Sequence, residues 1–126
     1  MKRLLITALL LILLTGCGYK GGAGFNNWST YDKVVTAATI VTKVIDIGQT
    51  RHIYNNPNYY EKNPIIDTWF NSKNKSSAYI VGTEALVLIG VDYVSPSWRS
   101  ALLTGNFITS TVCVLHNNQI GIKWEW

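Results

Sequence analysis

Residues 30–50, TYDKVVTAATIVTKVIDIGQT, decide the fold. Thr36, Thr39, Lys43, Asp46 and Thr50 recur at steps of three, four, three and four, which sets them in one stripe along a helix. Thr42 and Gln49 widen that stripe. The other positions from Val34 to Gly48 are apolar or small: Val34, Val35, Ala37, Ala38, Ile40, Val41, Val44, Ile45 and Ile47. The surface helix of a soluble domain usually carries a broader polar face. A narrow polar seam with a wide apolar arc suits a helix that turns its polar side to partner helices and its apolar side to lipid. Lys43 and Asp46 stand three apart, close enough to pair. Ser29 or Thr30 is the expected cap.

Toward the C-terminus, residues 51–75 predict a long polar loop, because Pro57 and Pro64 interrupt any helix. Its Tyr54, Tyr59, Tyr60, Trp69 and Phe70, interspersed with lysines, suit a membrane–water interface. Residues 76–94 form the most apolar internal stretch, near the length of a span, with Glu84 inside it. Ser95-Pro96 reads as an N-cap followed by proline at the first helical position. The third helix, 97–116, carries its own polar stripe of Arg99, Asn106, Ser110, Cys113 and Asn117. Gly105 and the small Ser and Thr residues permit close helix packing in a bilayer. The tail, QIGIKWEW, alternates as a strand does. A single alternating segment falls short of a barrel, which needs at least ~8 strands, so Trp124 and Trp126 read as interfacial anchors. The expectation for residues 28–126 is therefore an all-α, membrane-associated bundle of about three helices with a short extended C-terminal tail.

Toward the N-terminus, residues 17–27 are rich in Gly and Asn and predict a flexible tether. Ahead of it, Lys2 and Arg3 precede an apolar run, Leu4 to Leu13, of signal-peptide length. That run is shorter than the ~20 residues of a spanning helix. Leu14-Thr15-Gly16-Cys17 then resembles the lipobox of bacterial lipoproteins: an aliphatic residue, a small one, glycine, and cysteine. The resemblance implies that residues 1–16 are a cleaved signal peptide. It also implies a diacylglyceryl thioether on the Cys17 sulfur and an acyl group on the new amine. Several chains, at ~0.8 kcal/mol per buried CH₂, anchor stably where one does not. The implied location is the bacterial cell envelope, anchored and facing the periplasm. By the same resemblance, Gly18 permits sorting to the outer membrane. Three spanning helices would instead favour the inner membrane, with Arg51, Lys62, Lys73 and Lys75 on the cytoplasmic side. Both membranes stay open at this point.

Gln49-Thr50-Arg51, followed by Asn56-Pro57, Tyr60-Glu61 and Asn63-Pro64-Ile65, is similar to a family of small bacterial and phage membrane proteins with no assigned activity. In these a helix ends in Gln-Thr-Arg, a loop carries Glu-x-Asn-Pro, and two apolar helices follow. The resemblance covers roughly residues 28–122 and implies no chemistry. Physically, it suggests that Arg51 pairs with Glu61 and that the Asn-Pro turns set the loop against lipid headgroups.

Charged residues make up 14% of the chain, against ~25% in ordinary soluble domains. The net charge of +4 falls to +2 without Lys2 and Arg3, too weak a surplus to argue for nucleic acid. Cys17 and Cys113 imply no disulfide framework, and Cys113 on an apolar helix reads as a small packed residue. His52 and His116 lack metal-ligand spacing, and no cofactor is implied beyond the lipid on Cys17. No phosphate-binding glycine loop or Gly-x-Ser-x-Gly turn occurs. Ionisable groups in an apolar helix set are functional candidates, so Lys43, Asp46, Glu84, Arg99, Asn106 and His116 form a candidate intramembrane polar network. Its structural version pairs Asp46 with Lys43, and Glu84 with Arg99, since unpaired charge in lipid is costly. The functional expectation is a non-enzymatic lipid-anchored envelope protein that contacts membrane lipid and another envelope protein. Superinfection exclusion by a phage or prophage is one concrete form. The alternatives are a homo-oligomeric pore or transporter subunit, suggested by the polar stripes, and an intramembrane enzyme using Asp46, Glu84 or His116.

Overall fold

The computed structural model describes residues 24–125; the expected signal peptide, Cys17, the expected tether up to residue 23 and Trp126 lie outside the described residues. The fold is all-α. A 3₁₀ turn, Phe25–Asn27, leads into α1 (Thr30–Asn55), and α2 (Pro64–Trp69), α3 (Lys73–Asp92) and α4 (Pro96–Gln119) follow. No strand occurs among the described residues. Helix α1 is the central element and packs against both α3 and α4, while the contact between α3 and α4 is slighter.

The boundaries follow from local chemistry. The Ser29 side chain accepts a hydrogen bond from the Asp32 amide and caps α1. Helix α1 outruns the expected end at residue 50 by more than a turn. Nothing between Arg51 and Asn55 breaks a helix, and Asn56 leaves it because the residue before Pro57 is pushed to extended backbone. The expected loop 51–75 is thus largely helical. Pro64 starts α2 rather than breaking a helix, with Asn63 accepting from the Ile65 amide as its cap. Ser72 caps α3. Ser95 and Pro96 open α4 as their spacing predicts. Helix α4 ends before Gly121, whose φ of 87° suits a residue without Cβ. After a turn at Ile120 and Gly121 the C-terminal tail lies on α1, with the Glu125 amide donating to the Gly48 carbonyl at 3.2 Å.

The three-span expectation is corrected: no helix among the described residues is long and apolar enough to cross a membrane. The polar stripes that mark the helices also lower the mean hydropathy of every long window. The stripes do turn inward, however. Asp32, Thr36, Thr39, Gln49, Thr50, Ser76, Glu84, Arg99 and Ser110 are buried. Val34 and Val41 on α1, Val81, Leu86 and Ile89 on α3, and Ile108, Val112 and Leu115 on α4 are exposed. A small apolar core of Trp28, Val91 and Leu103 closes one end, near the α3–α4 turn.

Candidate functional site

The interior is a polar seam with three stations. At the α3–α4 end, Arg99 is 1% exposed. Its Nε donates to the Val91 carbonyl at 3.0 Å, and its Nη2 reaches the Asp92 and Val94 carbonyls at 3.4 Å. Val91 and Asp92 end α3 and Val94 lies in the turn after it, so the guanidinium acts as a C-terminal cap, joins the turn to the helix end and complements the helix dipole. Trp28 covers it at 5.1 Å and donates its indole N–H to Asp92 at 2.7 Å. Beside this group, Ser100 donates to the buried Asp32 carboxylate at 2.5 Å, and Tyr31 meets Thr104 at 2.8 Å.

At the middle station, Asn106 donates to both oxygens of Glu84 at 3.0 Å. The expected Glu84–Arg99 pair does not form; Arg99 is drawn to the α3 terminus and Glu84 takes the amide opposite it. Nor do Lys43 and Asp46 form an ion pair: the one ion pair among the described residues is His52–Glu125. Burial pushes the Asp46 carboxyl up from its ordinary value, the Lys43 charge partly offsets this, and Glu61 adds to it. Lys43 instead lines a groove between α1 and α3 that Glu84 also borders.

At the far end, Gln49 bridges α1 and α4, donating to the Val114 carbonyl at 3.1 Å and accepting from Asn117 at 3.2 Å. His52 Nδ1 donates to Glu125 at 2.8 Å, and Asn55 binds the other Glu125 oxygen at 2.8 Å. These two bonds, with Asn55 the larger contributor, hold the Glu125 carboxyl below its ordinary value. The Tyr59 ring lies 5.4 Å from the His52 ring.

Of the six network candidates, the structure brings Glu84 and Asn106 into contact and places Lys43 on the same groove. Asp46 is half-buried apart from them, Arg99 serves the α3 terminus, and His116 is exposed on α4. Arg51 and Glu61 do not pair: Arg51 Nε is buried without a hydrogen-bond partner, and Glu61 turns back to accept from the Asn63 amide at 2.8 Å. Cys113, expected to be packed, is exposed although it shares the stripe of Asn106 and Ser110. Burial raises its thiol from the ordinary value, and Asp46 adds to this.

Sequence reasoning missed Asp32, Asp92, Ser100, His52 and Glu125. A signal was present only for Asp32, which sits three residues after the Ser29 cap. The buried hydroxyls of Thr36, Ser110 and Thr111 have no partner. No cluster of three or more His, Cys, Asp or Glu residues that could hold a metal occurs among the described residues. Among the described residues, the one hydroxyl in the seam that donates to a carboxylate is Ser100 on Asp32. The polar groups of the seam mostly satisfy one another and fasten helix to helix. The fold and seam define a small helical bundle with a polar interior and an apolar exterior. Compared with protein-family models, curated proteins and solved structures, the chain has no match.

Proposed function

We propose that this chain is a small lipid-anchored protein of the bacterial envelope, held by acyl chains on Cys17, whose bundle works by contact rather than catalysis. The observation that carries the reading is the inverted polarity. Arg99 and Thr39 are essentially sealed from solvent, while Leu86 is 70% and Val34 61% exposed. Water would favour the reverse arrangement, since a large contiguous apolar exterior marks a surface covered by lipid or by another protein. The lipobox-like Leu14-Thr15-Gly16-Cys17 supplies the attachment. Exposed Tyr31, Tyr93 and Trp98, at the end of the bundle that follows the anchor, fit residues lying at headgroup level. The partner is membrane lipid together with a second envelope protein, and exclusion of superinfecting phage is the concrete biological form.

The test is incorporation of radiolabelled palmitate into wild type and Cys17→Ala, with the two membranes separated on a gradient. Label in the wild type alone is expected. An unlabelled wild type overturns the anchor, and a protein recovered free of membranes overturns the apolar-exterior argument. Deletion that leaves phage exclusion unchanged removes the exclusion form and keeps the contact role.

A further inference from the structure

Helices α1 and α3 pack against each other less closely than α1 and α4 do. Between them lie two apolar cavities of about 470 and 230 Å³. Both are bordered by Ile40 and Leu88, so they form one groove, open along one side. One end is bordered by Phe25, Trp28, Asp92 and Tyr93; the other runs down to Lys43, Ile47, Ile80 and Glu84. The upper end therefore mixes aromatic rings with a carboxylate, and the course below it is aliphatic.

We infer that this groove seats one acyl chain of the lipid carried by Cys17. The inference rests on the lipid-anchor reading above. Three observations carry it. The first is reach: Phe25, at the groove mouth, is eight residues after Cys17, and the seven links from Cys17 to Gly24 span up to ~24 Å when extended. The attachment point can thus stand at the mouth without strain. The second is length: the course from Thr36 to Ile47 covers eleven residue steps of α1, or ~16 Å of helix rise. That matches the ~15 Å depth of one leaflet of a bilayer core. The third is polarity along the course. The polar pair Trp28 and Asp92, joined at 2.7 Å, stands at the mouth, and Ile40, Val44, Val81 and Leu88 along the course suit an acyl chain. At the floor, both Glu84 oxygens are already held by Asn106, and the Lys43 stem offers methylenes to the chain terminus. An unfilled groove would forfeit the dispersion contacts of its walls, and an acyl chain restores them.

The experiment uses the full chain in bacteria fed a palmitate analogue with a diazirine near its methyl end. Intact mass first reports whether Cys17 carries lipid. Irradiation and peptide mapping then locate the adducts. Expected are adducts on Ile40, Val44, Val81 or Leu88, abolished in Cys17→Ser and moved out of the groove by Ala85→Phe or, independently, Val81→Trp. A chain without lipid on Cys17 overturns the anchor reading and this inference with it. A lipidated chain whose adducts lie only on the outer faces of α1 and α4, such as Val112 and Leu115, overturns the inference alone. Groove adducts that persist in Cys17→Ser assign the site to a bilayer lipid and equally overturn it.

Discussion

Replacing Arg99 by methionine tests whether the buried guanidinium holds the α3–α4 corner together. Methionine keeps much of the length and all of the apolar contact, and loses the donors and the charge. The bond to the Val91 carbonyl at 3.0 Å is charge-assisted and worth ~1.5–3 kcal/mol, and the two longer bonds at 3.4 Å add about 0.5 kcal/mol each. The Trp28 ring at 5.1 Å contributes ~1–2 kcal/mol in a site shielded from water. The gross loss is then on the order of 3–6 kcal/mol. Burying the methionine side chain returns about 1–2 kcal/mol. A net destabilisation of ~2–4 kcal/mol remains, which lowers the midpoint of thermal unfolding by on the order of 10 °C in a bundle of this size. Circular dichroism of the protein in detergent reads it. Arg99→Lys recovers about half, because an ammonium keeps the charge over the ring but cannot fork to several carbonyls. If Arg99→Met unfolds within ~1 kcal/mol of wild type, the guanidinium is not the cap of α3 and the account of this corner is wrong.

Three further outcomes follow from the other stations. Asn106→Leu strips the buried Glu84 of its donor and costs ~2–3 kcal/mol. In a double-mutant cycle Glu84→Leu in the same chain recovers at least ~1 kcal/mol, and strict additivity would show that the two residues do not act as a pair. Gly48→Ala gains ~1 kcal/mol of intrinsic helix propensity, yet its Cβ would fall within the Trp124 indole. The tail therefore swings off α1 and the Glu125 amide loses its hydrogen-exchange protection, while α1 keeps its own; a tail still protected would contradict the packing described. Acid has a related effect. The Glu125 carboxyl, held below its ordinary value of 4.5 by Asn55 and His52, contributes in full above that value and loses its contribution as pH falls through the lower folded one. Tail protection followed across that range should fall with pH, and protection unchanged at pH values that protonate Glu125 would remove the clamp.

The helical periods were legible from the chain alone. The stripe from Thr36 to Thr50 marked both the existence of α1 and its inward side, since the spacing of three and four holds whatever the helix packs against. Ser95-Pro96 likewise marked the start of α4, because capping is settled within one turn of backbone. The lipobox-like segment is likewise a resemblance carried by four consecutive residues, and it lies outside the described residues. What pairs with what was decided only in three dimensions. Glu84 and Arg99 are complementary in charge, and the sequence alone favours joining them. The end of α3 and the turn after it, however, gather the Val91, Asp92 and Val94 carbonyls around Arg99, and Asn106 stands opposite Glu84. Asp32 and Ser100, Gln49 and Asn117, and His52 and Glu125 are each separated by more than 65 positions, so no local spacing announces them. The groove between α1 and α3 is a relation between two helix faces, and appears only once α1 has given its closer contact to α4. Local periodicity determined the three long helices and most of their inward faces, because those depend on neighbours a turn away; the short α2, the partners and the gap depend on which helix reaches which, and only the tertiary structure decides that.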